Sequence, residues 1–270
     1  MVTGLYGKKF SGYMGVALDV DISRLSDKRE GGCPEQPDDE TDGFGKLWAK
    51  IRSGARQPLV NFGLAERELV EPWEMSQYRH NILVTATLKD RASGRAFCLG
   101  TYHMPCAFYA PQVMTIHSEM AAKHVQMLAG TNPYILAGDF NIKPIDPMYQ
   151  LLTTGRLDKA ACIEDGSAVY PVTKWDMEWQ PTIKAMRSAY AEALGKEPPF
   201  TNHAQTRDNE PFIDTLDYIF CSDEWKVDGV LELPSSQEES NGPFPNLDHG
   251  EPSDHVLIAA DLSLSGPASL

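Results

Sequence analysis

Cysteine is scarce in this 270-residue sequence, and its few positions exclude the common cysteine-based sites. The number of cysteines is odd, and no two of them form the Cys-x-x-Cys pair of many zinc and redox centres. Neither a disulfide framework nor a zinc cage is expected, and a reducing compartment is the simpler interpretation. The five cysteines are Cys33, Cys98, Cys106, Cys162 and Cys221.

Long apolar runs are also absent from the sequence. No run reaches the roughly 20 residues that a membrane-spanning helix needs. The N-terminal stretch lacks the continuous apolar core of a secretory signal, and no Asn-x-Ser/Thr glycosylation sequon occurs. We therefore expect an intracellular protein, cytoplasmic by default, with no membrane partner.

Basic residues are in the minority. The 24 lysines and arginines face 38 aspartates and glutamates, which gives a formal net charge of −14. Binding to duplex DNA is not expected, because it depends on many Lys and Arg contacts to phosphates. A small nucleotide or a short single strand stays compatible with this charge. A metal cation is then expected wherever a phosphate has to lie among carboxylates.

The composition is that of a globular protein, with 42% apolar and 23% charged residues. Short segments that are rich in β-branched and aromatic residues, and are bounded by turn residues, predict strands. These segments are Tyr13–Val20, Asn81–Leu88, Ala96–Tyr102, Tyr134–Ala137, Leu216–Cys221, Val227–Leu233 and Val256–Leu262.

Two segments with helical periodicity predict helices at Val113–Leu128 and Ile183–Leu194. Strands outnumber helices, and the helices are not regularly interleaved with them. This favours mixed or antiparallel sheets with outer helices. The apolar face of the first helix is expected to carry Val113, Ile116, Met120 and Met127.

The remaining segments indicate surface structure. His117 and His124 in the first predicted helix are expected to be surface or capping residues rather than ligands. Cys33–Gly43 and Pro234–Asn246 read as solvated loops, because they are rich in acidic residues and proline. Strand-like segments of one character flank both loops, so a single domain over residues 1–270 is expected.

Polar side chains of catalytic type stand at the ends of several predicted strands. Each alone has a common structural explanation as a turn, a cap or a hydrogen-bonded core residue. Together they supply two histidines, three carboxylates and an amide, the set used for metal-assisted hydrolysis of a phosphate ester. They are His103, Asp139, Asn141, Asp217, Asp254 and His255.

Four short segments, in this order, resemble the signature of the endonuclease/exonuclease/phosphatase superfamily: "TYHMP", "GDFN", "DYIF" and "PSDH". Longer stretches are similar to its deadenylase, nocturnin and Angel branch, namely "GDFNIKPIDPMYQLLTTG", "PPFTNHAQ", "PFIDTLDYIF" and "PFPNLDHGEPSDH". The resemblance runs from about Asn81 to the C-terminus. It implies an α/β fold in which two mixed, largely antiparallel β-sheets pack face to face with outer helices, a four-layer α/β sandwich.

The resemblance also implies roles for individual residues. Asp139 would position or activate the attacking water, and Asn141 would hold a phosphate oxygen. His255 would act as a base or bind the phosphate, with Asp217 orienting its ring. Asp254 would contact the cofactor, Mg²⁺ or Mn²⁺.

Three further residues receive roles from the same resemblance. His103 would stabilise charge in the transition state or assist the leaving oxygen. Asn202 and Phe212 would line the nucleotide site, where Phe212 can stack on a base. The spacing between Asn202 and Phe212 is longer than in typical deadenylases, which leaves the base preference open.

The sequence departs from the family pattern near its start. The family opens with a strand that carries an asparagine and a second strand that ends in Gln-Glu, whose glutamate is a principal Mg²⁺ ligand. Neither precedes "GYMGVALDV", and Glu30, Glu35 and Glu40 lie downstream in loop-like sequence. We expect an N-terminally truncated chain or a natural variant with weakened metal binding, in which the fold persists and activity is reduced.

The leading functional expectation is a Mg²⁺-dependent phosphodiesterase or phosphatase. Its substrate would be the 3′ end of a single-stranded RNA or a small phosphorylated nucleotide. One alternative is a catalytically impaired or non-catalytic phosphate- or nucleotide-binding protein of the same fold, which the absent glutamate favours. Another is a lipid-headgroup phosphodiesterase, although no amphipathic basic helix or hydrophobic anchor supports it.

Overall fold

The computed structural model describes residues 71–91, 93–172, 179–205, 210–236, 239, 242–247 and 252–264. The helices in these ranges are α1 (Pro72–Gln77), α2 (Pro111–Ala129), α3 (Pro147–Thr154) and α4 (Ala189–Leu194). The strands are β1 (Leu83–Lys89), β2 (Ala96–Tyr102), β3 (Tyr134–Asp139), β4 (Arg187–Ser188), β5 (Asn202–Ala204), β6 (Phe212–Asp214), β7 (Asp217–Cys221), β8 (Trp225–Val230) and β9 (Ala260–Leu264).

A five-stranded mixed sheet forms the centre, in the order β1-β2-β3-β7-β4. β2 and β3 run parallel, and the other neighbouring strands are antiparallel. Helix α2 connects the parallel pair, because two parallel neighbours need a long crossover. The pairs β5-β6 and β8-β9 form two smaller antiparallel sheets. No helix in the described ranges is both long and apolar enough to cross a bilayer.

The sequence patterns located the central strands closely. Ala96–Tyr102 has the predicted bounds, and the strands predicted at Asn81–Leu88, Tyr134–Ala137 and Leu216–Cys221 begin and end within two residues of prediction. Strands β2, β3 and β7 are largely buried, so pattern and packing agree there, whereas β1 is an edge strand of the described sheet without a buried residue. The strand predicted at Tyr13–Val20 and the loop at Cys33–Gly43 lie outside the described residues.

Three other elements differ from prediction. The helix predicted at Ile183–Leu194 is helical only from Ala189, because Arg187 and Ser188 pair with β7 as strand β4. The strand predicted at Val256–Leu262 begins only at Ala260, and the one at Val227–Leu233 ends at Val230. Pairing with distant segments decided these bounds, and local periodicity cannot report such pairing.

Helix α2 buries two of the four residues of its predicted apolar face, Val113 and Ile116, together with several small side chains. Ser118 and Val125 are buried, whereas Met120 and Met127 are exposed, so the predicted apolar face was wrong at these two methionines. Gly100 of β2 allows the close approach. A Cβ at Gly100 would lie only 2.6 Å from Cγ2 of Val125.

The two histidines of α2 differ in their surroundings. His124 is exposed, as predicted. His117 is half-buried instead, with Nδ1 2.6 Å from the hydroxyl of Tyr102 and Nε2 3.3 Å from the carbonyl oxygen of Ser76. Burial lowers its pKa. His117 is therefore a neutral structural histidine that joins α1, α2 and β2.

The other face of the central sheet is covered by the β8-β9 sheet and by α4. Ala137 of β3 and Ile219 of β7 form a buried apolar cluster with Tyr190 of α4, and Val227 and Leu262 pack against it. Alternate residues of β3 and β7 thus face two different layers. The predicted α/β fold with mixed sheets and outer helices is confirmed.

Gly138 lets β3 approach the end of β2. A Cβ at this position would overlap the backbone carbonyl of Tyr102. Because a backbone carbonyl in a sheet cannot swing aside, Gly138→Ala is expected to lower the free energy of unfolding by roughly 2–4 kcal/mol. Urea denaturation followed by tryptophan fluorescence measures this loss.

Gly229→Ala is the matched control for this prediction. Gly229 lies in β8, and a Cβ there would meet nothing within 4 Å. The control is expected to change the free energy of unfolding by less than about 1 kcal/mol. Equal losses in the two variants would contradict the steric explanation.

Candidate active site

The ends of three central strands and one loop converge on an open cleft of about 310 Å³. β2 ends at Tyr102 and β3 at Asp139, while β7 begins at Asp217. Because β3 and β7 are antiparallel, Asp139 and Asp217 are direct partners in the register. The cleft is lined by Thr101, Tyr102, His103, Gly138, Asp139, Asn141, Asp217, Ser253, Asp254 and His255.

The turn after β3 fixes a carboxylate and an amide in contact. The backbone N–H of Asn141 donates to Oδ1 of Asp139 at 2.9 Å, and the Asn141 side-chain nitrogen lies 3.3 Å from Oδ2. The same amide donates to the carbonyl of Met104 at 2.9 Å. Asn141 has a φ of 50°, a left-handed conformation that asparagine tolerates better than most residues. This explains the Asp-x-Asn spacing at the strand end.

Asp217 and His255 form a second, buried contact. Nδ1 of His255 lies 2.7 Å from Oδ2 of Asp217, whose side chain is fully buried. The hydrogen bond fixes the orientation of the imidazole ring. Nε2 of His255 then lies 3.7 Å from Oδ2 of Asp139. Two carboxylates therefore flank one imidazole.

Backbone pairing with the β5 segment brings His255 to the cleft. The N–H of His203 donates to the carbonyl of Asp254 at 3.0 Å, and the N–H of Val256 donates to the carbonyl of Thr201 at 2.8 Å. Asn202 forms an isolated bridge with His255 between these two bonds. This pairing explains why the residues just after His255 do not belong to β9.

His103 approaches the same carboxylate from the end of β2. Its Nε2 lies 3.4 Å from Oδ2 of Asp139, the oxygen that His255 also approaches. The side-chain amide of Asn81 donates to the carbonyl of His103 at 2.8 Å. The His103 side chain is 44% exposed and that of His255 is 21% exposed, so His103 is the more accessible histidine.

Burial raises the pKa of Asp139 to about 7. The negative charges of Asp217 and Asp254 add to this rise. The charge of His255 and the N–H of Asn141 oppose it. A carboxylate that titrates near neutral pH accepts a proton from water more readily than an ordinary aspartate does.

The pKa values of the two histidines shift in opposite directions. Burial lowers the pKa of His255, but the hydrogen bond and charge of Asp217 outweigh burial and raise it to about 9. Burial and the positive charge of His255 lower the pKa of His103. At neutral pH the site therefore holds an imidazolium at His255 and a neutral imidazole at His103.

The carboxylates of the cleft fit a divalent cation. Carboxylate oxygens of Asp139 and Asp217 lie, with a ring nitrogen of His255, within 4.8 Å of one another, and the two carboxylates are the donors in this group while His255 is protonated. Oδ1 of Asp217 is buried and has no hydrogen-bond partner within the described structure, so a cation would satisfy it. Asp254 also lines the cleft, whereas no lysine or arginine is among its lining residues. Carboxylate oxygens are the ligands that Mg²⁺ prefers.

Six of the eight predicted site residues line the cleft, and Asn202 and Phe212 do not. Asn202 lies in β5 and is 3% exposed. Phe212 lies in β6, pairs with Ala204 in the register and is 39% exposed. Their part in nucleotide binding stays a prediction.

Sequence reasoning gave no role to four of the residues that line the cleft, Thr101, Tyr102, Gly138 and Ser253. Tyr102 and Gly138 line the cleft because two neighbouring strands end there. Ser253 also lines it, and its hydroxyl accepts a hydrogen bond from the N–H of His255 at 3.1 Å. The segments "TYHMP" and "PSDH" contain Tyr102 and Ser253, and this position beside catalytic-type residues was the available signal.

Known proteins are similar to this chain in sequence and in fold. A model of the endonuclease/exonuclease/phosphatase family matches residues 25–255. Nocturnin of Drosophila melanogaster is 28% identical over 207 residues, which make up 75% of this chain and 30% of the relative. A CCR4-Not complex 3′-5′-exoribonuclease subunit, Ccr4 of Aspergillus fumigatus, is 32% identical over 151 residues, 55% of this chain and 20% of the relative. The chain thus spans less than a third of the length of either curated relative.

A solved structure agrees with this assignment. The structure of ANGEL2, a 2′,3′-cyclic phosphatase, matches with a TM-score of 0.55 at 17% identity, and covers 73% of this chain and 64% of that one. This likeness shows a common fold. Since the family match spans most of the sequence and includes all six cleft residues named above, the chain belongs to the endonuclease/exonuclease/phosphatase family, and the curated relatives it resembles include Nocturnin and Ccr4.

Proposed function

We propose that the chain is a phosphoesterase that depends on Mg²⁺ or Mn²⁺ and hydrolyses a phosphate ester of a nucleotide. One observation carries this proposal. Oδ2 of Asp139 lies 3.4 Å from His103 and 3.7 Å from His255, so a proton acceptor and two imidazoles share one cleft. The printed names of Ccr4, an exoribonuclease, and of ANGEL2, a cyclic phosphatase, support a phosphate ester as the substrate.

Asp139 takes the proton of the attacking water. The water oxygen bonds to phosphorus and its proton passes to Oδ2 of Asp139. The ester P–O bond breaks, and the leaving oxygen keeps the electron pair and takes up a proton from solvent. A carboxylate with a pKa of about 7 suits this role at neutral pH. The hydrogen bond from the Asn141 N–H to Oδ1 keeps the carboxylate in place.

The charge that develops on the phosphate oxygens is stabilised by His255. This residue is an imidazolium at neutral pH, since its pKa is about 9, and therefore binds the phosphate rather than removing a proton. His103 is the more exposed histidine and hydrogen-bonds the leaving oxygen. Asp254 and the unsatisfied oxygen of Asp217 would hold the cation, which offsets the negative charge of the phosphate when bound.

A small phosphorylated nucleotide or the 3′-terminal nucleotide of a single-stranded RNA is the proposed substrate. A cleft of about 310 Å³ admits one nucleotide but not a duplex. The net charge of −14 disfavours a long polyanion held over the surface. The substrate is therefore recognised locally, at its reacting phosphate and the adjoining nucleotide.

Turnover assays with the purified 270-residue chain test the proposal. Oligo(A), NADP and a generic phosphodiester are each incubated with Mg²⁺, with Mn²⁺ or with EDTA. Metal-dependent release of product is expected, and Asp254→Ala should lower it roughly 10–100-fold at subsaturating metal. Asp261→Ala, at an exposed position of β9, is the matched control, and its rate of product release should stay within about 2-fold of the parent chain.

The product identifies the substrate class. Mononucleotides from oligo(A), with NADP unchanged, would point to an RNA 3′ end, and the reverse result would point to a small nucleotide. A folded protein that releases no product with any metal would overturn the proposal in favour of a non-catalytic binding protein.

A further inference from the structure

Thr201 forms hydrogen bonds with several chain segments that build the candidate active site. It lies just before β5, its side chain is fully buried, and it does not line the cleft. Its hydroxyl oxygen accepts hydrogen bonds from the backbone N–H of Leu216 at 2.9 Å and of Asp217 at 3.0 Å. A threonine hydroxyl that accepts two backbone hydrogen bonds uses both of its lone pairs.

The backbone of the same residue holds the segment that carries His255. The carbonyl of Thr201 accepts a hydrogen bond from the N–H of Val256 at 2.8 Å, and the N–H of Thr201 donates to the carbonyl of Asp214 at 3.0 Å. Thr201 therefore contacts both chain segments that meet in the 2.7 Å contact between Asp217 and His255.

A further hydrogen bond extends this arrangement to Asp139. The carbonyl of Leu216 accepts from the N–H of Phe140 at 2.9 Å, and Phe140 stands between Asp139 and Asn141 in the chain. The N–H of Leu216 is bonded to the Thr201 hydroxyl. A shift of the Leu216 peptide would therefore move the Asp139 turn as well as the start of β7.

We propose that Thr201 is a positioning residue of the active site, whose hydroxyl sets the separation of Asp217, His255 and Asp139. This inference rests on the proposed hydrolase function. Valine has the shape of threonine but cannot accept a hydrogen bond, and it would leave two buried N–H groups without a partner. The Leu216–Asp217 peptide would then shift toward another hydrogen-bond acceptor. The distances among the side chains of Asp217, His255 and Asp139 would change as a result.

Four variants test the proposal through kcat and KM. Thr201→Val is expected to lower kcat about 10–100-fold with KM within about 3-fold, because the loss concerns transition-state geometry rather than binding. Thr201→Ser keeps the hydroxyl and should recover kcat to within about 3-fold of the parent chain. Thr201→Cys offers only a weak acceptor and should resemble the valine variant, so it decides the question if the valine variant does not fold.

Thr215→Val is the matched control. Thr215 is equally buried and close in the chain, but its hydroxyl donates to the carbonyl of Pro198 at 2.6 Å and contacts none of the cleft residues. It is expected to lose thermal stability to a similar degree while kcat stays within about 3-fold. Equal kcat losses in Thr201→Val and Thr215→Val, or no rescue by serine, would overturn the proposal.

A crystal structure of Thr201→Val, or of Thr201→Cys, separates failure of this inference from failure of the proposed function. The proposal requires the separation of Nδ1 of His255 from Oδ2 of Asp217 to exceed hydrogen-bond length, from the 2.7 Å of the parent chain. An unchanged separation would overturn the positioning role, whether or not the parent chain turns over any ester. Absence of turnover by the parent chain would overturn the hydrolase function alone.

Discussion

Replacing Asp139 with asparagine is expected to lower kcat by about 10³-fold or more under saturating metal. The variant keeps the size of the side chain and an oxygen that can accept the Asn141 N–H. It loses the group proposed to take the proton of water, and the negative charge between His103 and His255. Steady-state rates over a metal titration separate the loss of the proton acceptor from weaker metal binding.

Asp228→Asn is the control for this measurement. Asp228 lies in β8 and pairs with Lys226 on the surface. The kcat of the control should stay within about 2-fold of that of the parent chain, because most surface substitutions have small effects. A folded Asp139→Asn variant that retained a tenth of the parent kcat at saturating metal would contradict the role of Asp139 as the proton acceptor.

Asp217→Asn is expected to lower kcat roughly 100-fold and to change the pH dependence of stability. In the parent chain burial lowers the pKa of His255, but the hydrogen bond and charge of Asp217, with smaller contributions from the charges of Asp139 and Asp254, raise it from 6.5 to about 9. An asparagine keeps the shape of the side chain but loses the charge. Loss of that charge lowers the pKa of His255, and therefore lowers the share of the imidazolium proposed to bind the phosphate at neutral pH.

The sign of the stability effect follows from the raised pKa. A histidine with a folded-state pKa of about 9 and an ordinary value of 6.5 contributes stability in full below pH 6.5. This contribution is lost as the pH rises through 9. In metal-free protein the free energy of unfolding should therefore fall by roughly 2–3 kcal/mol between pH 6.5 and pH 9.

Urea denaturation at several pH values, with EDTA present, measures this dependence. Asp217→Asn should remove most of the fall in stability, and Asp228→Asn should leave it as in the parent chain. If the free energy of unfolding fell equally steeply with pH in the parent chain and in Asp217→Asn, another group would be responsible for the pH dependence.

The sequence predicted those parts of the fold that depend on contiguous residues. β2, β3 and β7 were found within two residues of their bounds, because alternation and turn residues mark a central strand locally. It did not predict β4 or the late start of β9. In both cases pairing with a distant segment, β7 or β5, replaced the structure that local periodicity favours.

The apolar face of α2 shows a second limit. The sequence pattern gave weight to Met120 and Met127, which are large, but both are exposed. Val113 and Ile116 of the same pattern are buried, and the helix also packs where small residues permit close approach, as Val125 does against Gly100 of β2. Which face is buried depends on the shape of the partner surface, and that shape is not encoded in the helix itself.

The sequence by itself determined the chemical inventory of the candidate site and the family to which the chain belongs. The types of the residues, their order and their places at strand ends all follow from contiguous motifs. Only the tertiary structure decided which of them meet. Asp217 and His255 are 38 positions apart and lie in contact at 2.7 Å, while Phe212 stays outside the cleft. The physical reason is that sheet register and loop pairing, rather than local spacing, set the distances between residues far apart in the chain.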